Sequence, residues 1–113
     1  MIDLTNMSAH AIIDRKARFS FIENTIGFGE RVCSAKKDRD EKGDAVATLT
    51  STGVVIIEVE ETKEIITAYI GTIQQVKAIW HKANKAKRME EKLWQMVNYN
   101  NNTENYKRAC GIA

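Results

Sequence analysis

The chain has 113 residues, of which 43% are hydrophobic and 28% are charged, and its formal net charge is +2. These values are typical of one globular domain and exclude an intrinsically disordered chain. No run of about 18 apolar residues is present, which excludes a transmembrane helix. The start of the chain also lacks a basic segment followed by an apolar one, so we expect no secretory signal. These features predict a single domain over residues 1–113 with a cytoplasmic location.

The two cysteines, Cys33 and Cys110, are predicted to be free thiols because neither belongs to a pattern with metal-ligand spacing. Glycine-rich phosphate loops and nucleophile motifs are also missing from the sequence, and we predict no metal and no cofactor. The charge is unevenly distributed, since residues 44–64 are acidic and residues 65–113 are basic. A basic C-terminal part suits an anionic partner, and it equally suits a solvated helix.

Two short helices are predicted near the start of the chain. Ser8 is suited to cap a helix over about residues 9–18, with Ile13 and Ala17, helped by Ala9, on its buried side. Residues 20–23 match a capping box and predict a second helix, which the glycines at 27 and 29 would end.

The first helix carries a histidine and several charged side chains. His10, Asp14 and Arg18 follow one another at intervals of four residues and therefore share one face, whereas Arg15 points about 140° away from His10. Asp14 lies between two cations in this row. An ordinary side-chain ladder on the helix surface is the simplest interpretation.

The middle of the chain predicts an antiparallel sheet. Segments rich in Val, Ile and Thr at 45–51, 54–60 and 64–70 predict three strands with hairpin spacing, and 31–35 predicts a fourth. The charged segment 36–44 is predicted to be an exposed loop. Residues 54–57 are apolar on both strand faces, so we expect helices to cover one face and a partner to cover the other.

A long helix is predicted over residues 72–98, because Thr72 and Gln75 match a capping box, and a short helix is predicted over residues 104–109. The expected fold class is therefore α+β: two short N-terminal helices, a three- or four-stranded antiparallel meander, a long C-terminal helix and a short terminal helix.

The long helix carries the clearest candidate binding surface. Five side chains form one basic stripe on a helical wheel: Lys77, His81, Lys85, Arg88 and Lys92. Trp80, Asn84 and Arg88 run along its border and provide an aromatic plane, an amide and a guanidinium. A nucleotide needs such a stacking surface, hydrogen bonds and a phosphate clamp. A solvated face with a tryptophan packed in the core is the alternative interpretation.

Two further arginines are candidates for the same binding site, and a ribonuclease is the catalytic alternative. Arg108, on the terminal segment, is expected to close over the same site, and Arg18 to form a second wall. A metal-independent ribonuclease would instead need a base, an acid and cations for the scissile phosphate. His10, Arg18, Thr67 and Tyr69 are the candidates for that chemistry, and Thr67 and Tyr69 share a strand face.

The order of segments also resembles known small proteins. "MSAHAIIDRKARF", "TSTGVVIIEVEETKEIITAYIGT" and "VKAIWHKANKAKRMEEKLWQMV", before an Asn/Lys-rich end, together resemble the phage Thoeris anti-defence sponge family. That resemblance implies an oligomeric, non-enzymatic protein that sequesters cyclic ADP-ribose-type signals, made by bacterial TIR-domain proteins, in pockets between subunits. The pattern His10-x4-Arg15-x2-Arg18 followed by "IITAYI" more weakly resembles small ribonuclease domains of the RelE/barnase type.

We therefore expect a phage-type protein of the host cell cytoplasm that binds a small cyclic nucleotide without chemistry and forms a homo-oligomer with sites near subunit interfaces. No membrane association is expected. The expected ligand-binding residues are Trp80, Asn84, Lys85, Arg88, Arg108 and Arg18. A metal-independent endoribonuclease and a basic nucleic-acid-binding accessory protein are the alternatives.

Overall fold

The computed structural model describes residues 2–40, 43–84 and 88–112, and for residues 38–40 and 84 it describes the backbone only. The described part is an α+β fold, as the sequence predicted, and its one sheet has four antiparallel strands in the order β1-β2-β3-β4. The strands are β1 (Arg31–Asp40), β2 (Gly43–Thr50), β3 (Val54–Val59) and β4 (Ile65–Ile70). The helices are α1 (Ala9–Asp14), α2 (Lys16–Thr25), α3 (Ile73–Asn84), α4 (Glu91–Asn101) and α5 (Glu104–Gly111).

The chain covers both faces of its own sheet. Ile56 on β3 packs with Phe19 and Ile22 of α2 in one core, and the next residue, Ile57, packs with α3 and α4 residues in the other. Residues 54–57 are therefore buried on both sides, as predicted, because successive side chains of a strand point to opposite faces. The expectation that a partner covers one of these faces was wrong, since helices α1 and α2 cover it.

The N-terminal helices differ from the prediction in their boundary and in their buried side. Ser8 caps α1 through a hydrogen bond from the Ala11 N–H to its Oγ at 3.1 Å, as predicted. The helix then ends at Asp14, and the residue at position 20 lies inside α2 rather than at its start. Ile13 is 77% exposed, and the buried residue of α1 is Ala11.

The alanines at 9 and 17 are exposed as well, so the predicted buried side of the first helix was wrong. The physical reason is the attachment of the preceding segment to the edge of the sheet. The Ser8 N–H donates to the Ile65 carbonyl at 2.8 Å, and the Ile65 N–H donates to the Asn6 carbonyl at the same distance. These bonds set the direction in which α1 leaves the sheet, and that direction turns Ala11 toward β4.

The charged segment predicted to be a loop is largely a β-hairpin. Strand β1 continues to Asp40 and β2 begins at Gly43, and residues 41–42 lie outside the described part. An edge strand accommodates charged side chains because much of its surface faces water. Lys36 on β1 illustrates this, since its Nζ lies 2.7 Å from an oxygen of Glu60.

A buried ion pair lies on the sheet face that α1 and α2 cover. Glu58 is completely buried and accepts two hydrogen bonds from Arg31, at 3.0 Å from Nε and 2.7 Å from Nη2. The Thr48 hydroxyl donates to the same carboxylate at 2.8 Å, and the Ser34 hydroxyl lies 2.7 Å from that of Thr48. The hydrogen bonds that Arg31 donates to Glu58 raise the pKa of Arg31.

The predicted long helix is two helices. The capping box at its start is confirmed, because the Thr72 N–H donates to Gln75 Oε1 at 2.9 Å and the Gln75 N–H donates to Thr72 Oγ1 at 3.1 Å. However, α3 ends at Asn84, residues 88–90 are not helical, and α4 begins at Glu91. A straight helix would carry Val97 about 20 Å beyond Asn84. The change of direction instead returns Leu93 and Val97 to the core beneath α3.

Candidate functional site

A cavity of about 600 Å³ lies between α3 and α4, and we call it the α3–α4 cavity. Eight residues line it: Lys77, Ala78, Trp80, His81, Arg88, Met89, Glu91 and Trp94. Helix α3 supplies the first four, the connection supplies Arg88 and Met89, and α4 supplies the last two. The change of direction between the helices therefore creates the cavity, because it sets the two tryptophans on different helices.

The two tryptophans are held by different contacts. Trp80 and Met89 are half-buried and pack against the core that contains Ile79 and Leu93. Trp94 is also half-buried, and Lys77 Nζ lies 5.1 Å from the centre of its ring. This distance is typical of a cation–π contact. Two large aromatic side chains with restricted positions thus border one cavity.

The charges that line this cavity are mostly positive. Lys77, Arg88 and the imidazole of His81 are exposed, and among the described lining residues only Glu91 carries a carboxylate. Glu91 Oε1 accepts a hydrogen bond of 3.4 Å from Gln95 on the next turn of α4. The lining therefore combines aromatic surface with cations, which suits a planar ligand that carries negative charge.

The structure brings together part of the predicted ligand-binding set. Trp80 and Arg88 line the α3–α4 cavity, and so do Lys77 and His81 of the predicted basic stripe. Lys85 lies outside the described residues, as does the side chain of Asn84. The stripe itself needs correction: it assumed one continuous helix, whereas Arg88 lies beyond the end of α3, and Lys92, on α4, does not line the cavity.

Sequence reasoning missed Trp94, Met89 and Glu91 as lining residues. On the one long helix predicted over residues 72–98, Trp94 would lie on the face that carries Ile79 and Leu93, about four turns beyond Trp80. One signal could have revealed the break. Between Ile79 and Leu93 that face would carry only Ala83, Ala86 and Glu90, so a single helix would have had little to bury over about three turns.

Arg108 and Arg18 do not belong to this cavity, which corrects the expectation that they close it. The Arg108 guanidinium lies 5.0 Å from the centre of the Phe21 ring on α2. Arg18, also on α2, donates from Nε to the Ile112 carbonyl at 3.3 Å. Both contacts result from the packing of α5 against α2 and β4.

A second cavity, of about 220 Å³, lies where α5 crosses the edge of the sheet, and we call it the α2–β4–α5 cavity. It is lined by Arg18, Tyr69, Ile70, Gln75, Tyr106, Ala109 and Cys110. Burial, followed by the positive charge of Arg15, lowers the pKa of Arg18. Burial raises the pKa of Tyr69 and of Tyr106, and for Tyr106 a hydrogen bond with Cys110 adds to the increase.

The predicted ribonuclease set is only partly assembled. Arg18 and Tyr69 line the α2–β4–α5 cavity, but neither His10 nor Thr67 lines it. His10 Nδ1 is instead 2.8 Å from Asp14 Oδ2, and both side chains are about half exposed. Of the predicted row His10, Asp14 and Arg18, only the first two residues are paired, and they lie on the surface. The break between α1 and α2 at Arg15 separates Arg18 from that pair.

The described residues contain no cluster of three or more His, Cys, Asp or Glu side chains that could hold a metal ion. None of the described helices has the length and apolar character needed to cross a membrane. Comparison with protein-family models, with curated proteins and with solved structures found no match to this chain. The functional argument therefore rests on the two cavities.

Proposed function

We propose that the protein binds a small nucleotide in the α3–α4 cavity and leaves it chemically unchanged. One observation carries the proposal: two tryptophans and three basic side chains line a cavity of about 600 Å³. This volume is within the range of about 300–1,000 Å³ typical of small-molecule sites. A base stacks on tryptophan, and phosphates pair with lysine and arginine.

The ligand class in this proposal is a cyclic ADP-ribose-like signal. Such a molecule presents an adenine ring to Trp80 or Trp94 and a pyrophosphate to Lys77 and Arg88. The Glu91 carboxylate repels phosphate, so we assign the sugar hydroxyls to that end of the cavity. Sequestration of the signal would counter a bacterial defence system, which is the activity that the resemblance to the sponge family implies. We also propose that the protein works as a homo-oligomer in the host cytoplasm.

The test is a binding and recovery experiment on the intact chain. Cyclic ADP-ribose isomers, ADP-ribose and AMP are each incubated with the protein, the protein is washed and heat-denatured, and the released compound is identified by mass spectrometry. We expect one cyclic isomer to be retained and recovered intact. Trp80→Ala should weaken its binding by about 5- to 150-fold, since stacking of one base contributes about 1–3 kcal/mol.

Tyr99→Ala is the matched control, because Tyr99 is an aromatic residue of α4 that is 61% exposed and does not line the cavity. It should bind the ligand like the parent protein. Retention of nothing across the panel would refute the proposal. Cleavage of added RNA would favour the endoribonuclease. Binding of long nucleic acid that weakens steeply with salt and does not depend on Trp80 would favour the accessory protein.

A further inference from the structure

The α2–β4–α5 cavity is a second, partly open site, separate from the proposed nucleotide site. Its walls come from four elements, α2, β4, α3 and α5, and it shares no lining residue with the α3–α4 cavity. Its volume of about 220 Å³ is much smaller than the 600 Å³ of the other. A ligand of this site is therefore smaller than a nucleotide.

The charge in this cavity is positive and lacks an acidic partner within the described part of the chain. Arg18 takes part in none of the ion pairs found there, which join His10 to Asp14, Arg31 to Glu58, and Lys36 to Asp44 and Glu60. Its Nε donates to the neutral carbonyl of Ile112, and none of the hydrogen bonds among the described residues uses the two terminal nitrogens of the guanidinium. A partly desolvated arginine is stabilised by an anion.

The other polar groups in the lining are also suited to an anion. Tyr69 and Tyr106 each provide a phenol hydroxyl, and the described residues that line the cavity with them include neither a carboxylate nor a second charged side chain. Gln75 accepts the Thr72 N–H through Oε1, which leaves its amide nitrogen as a donor. The described lining therefore offers an arginine fork, two hydroxyls and an amide N–H₂, which come from four different elements.

We propose that the α2–β4–α5 cavity binds a phosphate group, held by Arg18 and by the hydroxyls of Tyr69 and Tyr106. A tetrahedral phosphate has enough oxygens to accept from the arginine fork and from both phenols at once, whereas a carboxylate has only two. The group is either free inorganic phosphate or the end of a small phosphate monoester. This proposal does not depend on nucleotide binding at the α3–α4 cavity.

The position of α5 explains how the site is held together. Arg108 of α5 stacks on Phe21 of α2, and Ala109 of α5 is buried, so the helix is fixed over the edge of β4. Tyr106 lies one turn before these residues and therefore faces the cavity from a supported helix.

The experiment is a calorimetric titration of the full chain with inorganic phosphate, methyl phosphate and acetate in parallel, at constant ionic strength. We expect saturable binding of at least one of the two phosphates and much weaker binding of acetate. A preference for inorganic phosphate identifies the free ion as the ligand, and a preference for methyl phosphate identifies a monoester. Equal binding of acetate and phosphate, or no saturable binding, would overturn the proposal.

Variants locate the site. Arg18→Met should weaken phosphate binding by about tenfold or more, because a charge-assisted bidentate contact is lost. The affinity of Arg18→Lys should lie between that of the parent protein and that of Arg18→Met, because lysine keeps the charge and loses the bidentate geometry. Tyr69→Phe and Tyr106→Phe keep the shape of the cavity and should each cost a few-fold. Lys107→Gln is the control, since it removes a positive charge from an exposed position of α5.

The outcomes for the two sites are distinguishable. Trp80→Ala should leave phosphate binding unchanged even if it abolishes nucleotide binding. Arg18→Met should weaken phosphate binding and leave nucleotide binding unchanged. If Lys107→Gln weakened phosphate binding as much as Arg18→Met does, the effect would be one of general charge and the assigned site would be wrong. Loss of phosphate binding in the Trp80 variant would place the anion in the α3–α4 cavity and also overturn the assignment.

Discussion

The two faces of the sheet use their charged residues in opposite ways. On the face covered by α1 and α2, the Glu58 carboxylate is fully buried and Arg31 satisfies it with two hydrogen bonds. On the other face, Lys77, His81 and Arg88 stand around a cavity with two tryptophans and one carboxylate. The charge of the first face is neutralised within the fold. That of the second face borders an open cavity, and we propose that it serves a ligand.

The largest effect that this comparison predicts is on stability. Arg31→Met should lower the free energy of unfolding by about 3 kcal/mol, because it leaves Glu58 buried without its partner. Chemical denaturation followed by circular dichroism measures the change. The folded variant should bind nucleotide at the α3–α4 cavity as the parent does.

A double variant sharpens the same prediction. Arg31→Met combined with Glu58→Leu removes both charges and should recover much of the lost stability, since apolar replacement of a buried ion pair is often neutral. If the single and double variants were equally unstable, packing around Arg31 rather than the unpaired carboxylate would account for the loss. In that case the contrast between the two faces would be wrong.

A smaller effect on stability is expected from the hydroxyl caps at the starts of α1 and α3, which cover opposite faces of the sheet. Ser8→Ala and Thr72→Ala each remove a hydroxyl that accepts a backbone N–H, and each should cost about 1 kcal/mol in unfolding free energy. The two variants should differ in binding, because Thr72 starts the helix that carries Trp80. Only Thr72→Ala is expected to weaken nucleotide binding. Thr25→Ala, at an exposed position at the end of α2, is the control and should change neither property.

The smallest effect concerns alkaline pH. Burial raises the pKa of Tyr69 above the ordinary value of about 10, so above that value the unfolded chain ionises this phenol while the folded protein keeps it protonated. The free energy of unfolding should therefore fall as the pH rises from about 9 to about 11. Tyr69→Phe should reduce this slope in urea titrations. An unchanged slope would contradict the burial of the phenol.

Much of the fold was predictable because its signals are local. Residues 54–57 indicated a strand buried on both faces, and the structure confirms it. The caps at Ser8 and Thr72 were readable for the same reason, since each depends on side chains within three residues of the helix start. The class α+β followed from the order of these elements.

The candidate site was only partly predictable because its geometry depends on where helices end. Trp80 and Arg88 were named from the sequence, and both line the α3–α4 cavity. Trp94 was missed, because on one continuous helix it belongs to a distant turn. Arg108 was wrongly assigned, since its place depends on the packing of α5 against α2 and β4, which no local pattern reports.

By itself, the sequence determined the α+β class, the positions of strands β2, β3 and β4, the capped helix starts at Ser8 and Thr72, and the presence of cations next to tryptophan. The tertiary structure alone decided which of those cations share a cavity, that α1 and α2 cover the second face of β3, and that Arg18 meets Tyr69 and Tyr106. The physical reason is the distance along the chain over which each interaction acts. Periodicity and capping act over a few residues, whereas the turn between α3 and α4 and the placement of α5 are set by apolar burial between segments far apart in the chain.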